Sequence, residues 1–414
     1  MREPYDPFVF FERSFPAPFD VTVYSSWTQD LDIYGQVSRA ILKNLDRLRR
    51  LTIDVLSLDE IAPLFEAWSH RDAPNFTHLE VACSDSFEPE KELTTYLTRG
   101  DSLRSIKLRG LRYQFLPTLR YLTVLEFDRL QPDPVFFHEL FTHFPGLETF
   151  IVGVLSAPSE KSDSISPSVE ISVPSLKTLA INLDNDHTEN CSCALPHLTA
   201  ENLENLEISH YGTTFADHYV SLASHFKPSP HLGKMRIRSH LFMEEDMDFL
   251  ALLPNATCLE IIGFPSHRDP GAGLPIVNLQ NLGSITIDLT PTMSKYSSDF
   301  DLVAFRGILH NTRDLTCHRP VVVCCDCDDN ALAAWKMVLG NRFSIRSTPL
   351  PPGYLDGYFV SYDDFLDRLS GSSQDENYDW DGDDYGNYDY DDYDEEEDYP
   401  DESGIGSEGE DEQM

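Results

Sequence analysis

One spacing recurs along most of this chain and limits what it can fold into: an apolar residue, two others, an apolar residue, one other, and a third apolar residue. It appears as Leu48, Leu51 and Ile53, then as Phe76, Leu79 and Val81, Leu103, Ile106 and Leu108, Leu122, Leu125 and Phe127, and Leu147, Phe150 and Val152. It continues as Leu176, Leu179 and Ile181, Leu203, Leu206 and Ile208, Leu232, Met235 and Ile237, Ala256, Leu259 and Ile261, and Leu282, Ile285 and Ile287. A degenerate copy is expected at Leu315 and Cys317, and an irregular strand over Phe19 to Tyr24 is expected to open the array.

Successive copies begin 19 to 29 residues apart, close to the roughly 20–29-residue period of leucine-rich repeats. The last two apolar positions flank a residue that is usually polar, as in a short strand with one buried face. The first apolar residue closes the turn before that strand. A single repeat cannot bury its own face, so neighbours must stack. Helical spacing lies between several strands: Ile61, Leu64, Phe65 and Trp68 within 59–68, and Phe136, Leu140, Phe141 and Phe144 within 134–144. Segments 215–226, 245–253 and 300–309 have the same character.

The expected fold is therefore an α/β leucine-rich-repeat solenoid, a curved horseshoe with parallel strands on its concave face. Residues 1–47 are expected to form the opening strand and N-terminal cap, and 48–350 the solenoid of about 10–11 irregular repeats. Residues 351–370 are expected to cap its far end, with Phe359, Phe365 and Leu369 as anchors. The repeats lack the regular turn asparagine of receptor-type ladders.

Charge separates the last segment from the rest. The chain carries a formal net charge of −39, and 20 of its 70 Asp and Glu fall in 371–414, which has no Lys or Arg. Like-charge density of that kind opposes packing, so the acidic tail is expected to be disordered. Its tyrosines, Tyr378, Tyr385, Tyr388, Tyr390, Tyr393 and Tyr399, could add cation–π contacts to Lys or Arg of a basic protein such as a histone; the alternative is a purely solvating tail. Ser372, Ser373 and Ser407 each precede an acid by three residues and are candidates for acidophilic phosphorylation. The overall charge argues against a nucleic-acid backbone as partner. The opening residues lack the pattern of a signal peptide, and no run of 18 apolar residues marks a membrane span. The expectation is a soluble cytoplasmic or nuclear monomer with reduced thiols and no membrane partner.

No catalytic motif emerges. Gly404 to Gly409 matches G-x-G-x-x-G in form, but it follows no strand and sits among carboxylates that would repel a pyrophosphate. His187, Cys191, Cys193 and His197 offer possible zinc ligands, with a C-x-C spacing tighter than usual. The group Cys324, Cys325 and Cys327 follows an apolar run, where packing at a strand end is the simpler account. No cofactor, metal or catalytic residue is assigned. The candidate partner-binding residues are the cations at outward strand positions of the concave face: Lys107 and Arg109, and separately Lys234, Arg236 and Arg238. The acidic tail could fold back onto these basic patches.

Repeat endings such as Leu48-Arg-Arg-Leu-Thr-Ile53 and Leu203-Glu-Asn-Leu-Glu-Ile208, with the opening segment from Phe11 to Val23, resemble those of fungal F-box/leucine-rich-repeat proteins over residues 8 to 350. That resemblance implies a substrate-recognition scaffold linked to ubiquitin ligation, with cullin-ligase subunits as partners where an F-box precedes the repeats. The opening strand is expected too near Met1 to leave room for an F-box, so either the chain is a truncated one or this member has lost the module and is an F-box-less remnant. A solenoid followed by an acidic tail is also similar in layout to chaperones and regulators that bind histones or other basic proteins.

Overall fold

A computed structural model describes residues 13–24, 31–57, 62–68, 71–83, 102–110, 119–130, 134–155, 171–183, 198–210, 229–239, 256–262, 282–289, 321–324, 333, 336–337, 343–356 and 358. Contacts divide the chain into two units, Met1–Val360 and Ser361–Met414. All described residues belong to the first, so the acidic tail, the His187–His197 group and the segments 215–226, 245–253 and 300–309 lie outside them.

The elements follow in chain order. They are β1 (Phe19–Tyr24), α1 (Leu31–Lys43), β2 (Leu48–Val55), α2 (Ala62–Trp68), β3 (His78–Cys83), β4 (Ser105–Arg109), β5 (Val124–Leu130), α3 (Pro134–His143) and β6 (Thr149–Leu155). Then come β7 (Ile171–Ser172), β8 (Thr178–Leu183), β9 (Leu198–Thr199), β10 (Asn205–His210), β11 (Lys234–Ser239), β12 (Cys258–Ile262), β13 (Ser284–Asp288), β14 (Val321–Cys324) and β15 (Phe343–Arg346). Thirteen strands make one sheet in sequence order, interrupted only because β7 and β9 pair separately. The pairs are parallel, so each strand is joined to the next by a crossover and not by a hairpin. The chain is a leucine-rich-repeat solenoid.

The repeat acts through two ladders. Leu51, Leu79, Ile106, Leu125, Phe150, Leu179, Leu206, Met235, Leu259 and Ile285 stand in register, each opposite the next. Ile53 through Ile287 form the second row two residues on. In all ten copies the three patterned positions are 6% exposed or less, so this row of side chains is the core and its burial drives the stacking. The row extends to Val321 and Val323 in β14 and to Phe343 and Ile345 in β15. The strand that follows the ten copies is thus Val321–Cys324; the expected Leu315 and Cys317 lie outside the described residues. The alternation in Phe343–Arg346 was too short to register as a repeat.

Turns stitch one coil to the next. The carbonyl just after the first apolar residue accepts two amides of the following coil: that of Thr77 accepts Arg104 and Ser105, and that of Lys177 accepts Glu204 and Asn205. Where a regular asparagine is missing, varied side chains reach the preceding turn. Asn75 donates to the Asp46 carbonyl at 2.6 Å, Ser102 to Ala73, Asn202 to Pro174 and Ser229 to Glu201. Several chemistries satisfy the same carbonyl, which is why no single residue type marks the turn.

Aromatic rings fill the space behind the sheet. In α3, Phe137 and Phe141 are four residues apart and meet Phe150 edge-on at 5.8 and 5.4 Å. Phe137, Leu140, Phe141 and Phe144 are buried; Phe137 joins the expected Leu140, Phe141 and Phe144, and the side chain of Phe136 lies outside the described residues. In α2, Leu64, Phe65 and Trp68 are buried as the spacing predicts, with Trp68 4.5 Å from Phe76. At the N-terminal end, Arg47 is buried; it donates to the Ala17 carbonyl and Ser14 hydroxyl and stacks against Phe15 and Phe19, tying the opening segment to the first coil.

Candidate functional site: the open face of the sheet

The residues between the two buried rows point to the opposite, concave face. In register across it stand Lys107, Glu126, Ile151, Ala180, Glu207, Arg236, Glu260 and Thr286. The row is charged, then apolar, then charged. Opposite signs are neighbours: Lys107 Nζ lies 2.5 Å from Glu126, and Arg236 Nε lies 2.6 Å from Glu260, which Lys234 also reaches at 3.0 Å. Such cross-strand pairs stabilise a sheet face.

This row is covered. After β15 the chain reverses and runs back over the strands it has just built. The Leu350 amide donates to Asp288 Oδ2 at 2.7 Å, and the Pro351 carbonyl accepts from Arg236 Nη2 at 2.9 Å. The amides of Tyr354 and Leu355 donate to the two carboxylate oxygens of Glu207, at 2.9 and 3.2 Å. Asp356 pairs with Arg238 through one carboxylate oxygen and accepts the Gly353 amide through the other. The Tyr358 hydroxyl donates to Glu126, and its ring lies 5.6 Å from Lys107 Nζ and 5.5 Å from Arg109 Cζ. Leu355 and Tyr358 are buried with Ile151 and Ala180 in a small second core.

Residues 350–356 and 358 therefore form a strap across the open face. The expectation that 351–370 caps the end of the solenoid is corrected for 351–356 and 358: these residues spread over strands from β11 to β4. Pro351 and Pro352 keep the start of the strap out of helix, and Tyr354 to Asp356 then make a turn in which the Tyr358 amide donates to the Leu355 carbonyl. Of the expected anchors, Phe359, Phe365 and Leu369 lie outside the described residues.

Glycine permits the close approach. A Cβ on Gly353 would press into the Arg236 guanidinium and the Glu207 carboxylate. A Cβ on Gly153, beneath the strap, would meet the Tyr358 ring and, at 2.6 Å, the Asp128 carbonyl.

The five cations expected as a partner surface do lie on this face, but not as free positive patches. Arg236 and Arg238 are buried, at 3% and 8% exposure, and Lys107 and Lys234 are ion-paired to neighbouring strands. Cations removed from water need partners, and acids one strand away supply them. The segment that folds back is 350–356 with 358; the acidic tail lies outside the described residues. The acids Glu126, Glu207, Glu260 and Asp288 and the apolar pair Ile151 and Ala180 went unnoticed in the sequence. Their signal was available: each of these residues except Asp288 occupies the single position between the two strand residues of its repeat, and Ile151 and Ala180 are apolar where that position is otherwise polar.

Burial dominates the electrostatics. It pushes the Tyr358 phenol well above its ordinary range, reinforced by the adjacent Glu126 carboxylate. Burial raises the Cys324 thiol as well, with Asp288 adding to the effect. Among the described residues no group of His, Cys, Asp and Glu could hold a metal ion, and no helix is long and apolar enough to cross a membrane.

No family model matches the chain, and no curated protein matches it.

Proposed function

We propose that this protein is a non-enzymatic protein-recognition scaffold whose working surface is the open face of the solenoid. One observation carries the reading: the face holds a polypeptide segment, its own, folded as a turn over 354–356, by that segment's backbone amides, a carboxylate, an aliphatic side chain and a phenol. A surface built this way recognises chain, since carboxylates that accept backbone amides give affinity and side-chain positions give selectivity. Resemblance of the repeats to fungal F-box/leucine-rich-repeat proteins supports the finer reading, a substrate receptor linked to ubiquitin ligation.

A second reading rests on the tail. Its 20 acidic residues without a cation suit a chaperone or regulator of histones or other basic proteins. Affinity capture from the native cell with the full chain and with residues 1–370, read by mass spectrometry, separates the two. Cullin-ligase subunits or a shared partner with both forms support the solenoid as the recognition element. Histones with the full chain alone would overturn it in favour of the tail.

A further inference from the structure

The strap is an imperfect occupant of the surface it covers. Arg109 Nε, Asn182 Oδ1, Ser209 Oγ and Arg236 Nη1 are buried side-chain atoms on or beside this face that have no hydrogen-bond partner among the described residues. Asn182 and Ser209 stand in register on β8 and β10, and Arg236 lies directly under Gly353. Polar atoms left unsatisfied in a folded protein are uncommon, and several on one face, two of them on arginines that touch the strap, mark a place where more hydrogen bonds are on offer than the resident chain makes.

We propose that residues 350–358 are a built-in competitor: the open face is a groove for a linear peptide of the strap's own chemistry, and the strap occupies it until such a peptide displaces it. This rests on the reading of the face as a protein-recognition surface. The groove sets the ligand class. Glu207 takes two consecutive backbone amides, Ile151 and Ala180 take an aliphatic side chain, and Arg238 takes a carboxylate on the residue that follows. Glu126, Lys107 and Arg109 take a tyrosine two residues further on. The sequence recognised is a glycine, any residue, an aliphatic residue, an acid, any residue and a tyrosine, as in Gly353-Tyr-Leu-Asp-Gly-Tyr358. A better ligand keeps these contacts and adds acceptors for Arg109 and Arg236.

Tethering makes the strap effective. A short connection holds an intramolecular segment at an effective concentration of about millimolar. The apparent affinity for a competing peptide falls by the fraction of molecules whose groove is open.

The test uses the full chain and a labelled synthetic peptide of residues 348–360. Two variants open the strap from different sides: Leu355→Asp, which puts a charge on the apolar shelf, and Gly353→Val, which fills the space against Glu207 and Arg236. Each opened protein is expected to bind the peptide at least ten-fold more tightly than the natural chain. Arg238→Glu in either opened background should reverse that gain. Equal affinity for natural and opened proteins, with unchanged circular dichroism, would overturn the proposal. So would a natural chain that sediments as a dimer and becomes a monomer on opening, since the strap would then join two copies. Partners captured equally by natural and opened proteins would also sink the competitor, while leaving the recognition reading intact.

Discussion

The carboxylate of Glu207 accepts the backbone amide of Tyr354, 147 residues further along the chain, at 2.9 Å. Its other oxygen takes the amide of Leu355. A buried carboxylate on the tenth strand thus fixes the course of a segment that follows the last. Hydrogen bonds to a charged group contribute roughly 1.5–3 kcal/mol each. Glu207→Gln keeps the shape and removes the charge. Amide exchange at Tyr354 and Leu355 should then accelerate by about ten- to a hundred-fold, as local opening becomes easier. Unchanged exchange at these two amides would show that the strap is held elsewhere.

Alkali should release the strap. In the open state the Tyr358 phenol ionises near its ordinary value of 10.0; in the closed state burial and Glu126 hold it neutral to higher pH. Closure is therefore fully favoured below pH 10 and weakens as pH rises above it. Limited proteolysis between pH 8 and 11 should show cleavage at the strap rising steeply in the upper part of that range. Tyr358→Phe should flatten the rise, and a rise of the same steepness in that variant would assign it to another group.

Phe150 meets Phe127, Phe137 and Phe141 and is fully buried. Removing such a ring leaves a cavity that stacked coils cannot close, at a cost of roughly 3–5 kcal/mol. Phe150→Ala should lower the denaturant midpoint accordingly. A loss below about 1 kcal/mol would mean that the α3 connection repacks over the gap.

Cys324 ends β14 with a buried thiol raised above its usual range by that burial. Little thiolate is present near neutral pH, and the reagent's path is blocked. Iodoacetamide followed by peptide mapping should label Cys324 slowly in the folded chain and quickly in denaturant. Equal rates would place the thiol at an open site.

The spacing of apolar residues alone determined the solenoid. A buried row needs only the right residue type at the right interval, and the interval is written locally in each copy from Leu48 to Ile287. Even the outward direction of Lys107, Arg109, Lys234, Arg236 and Arg238 followed from alternation. Boundaries were less legible where the pattern thinned, as at β14 and β15, because two apolar residues in a short strand are not distinguishable from a loop by spacing. What covers the open face was decided only by the tertiary structure. Arg238 meets Asp356 118 residues away, and Tyr358 meets Glu126 232 residues away. No period links such pairs. They come together because thirteen stacked strands carry distant side chains to one surface, where charges withdrawn from water take the partner that the folded geometry offers.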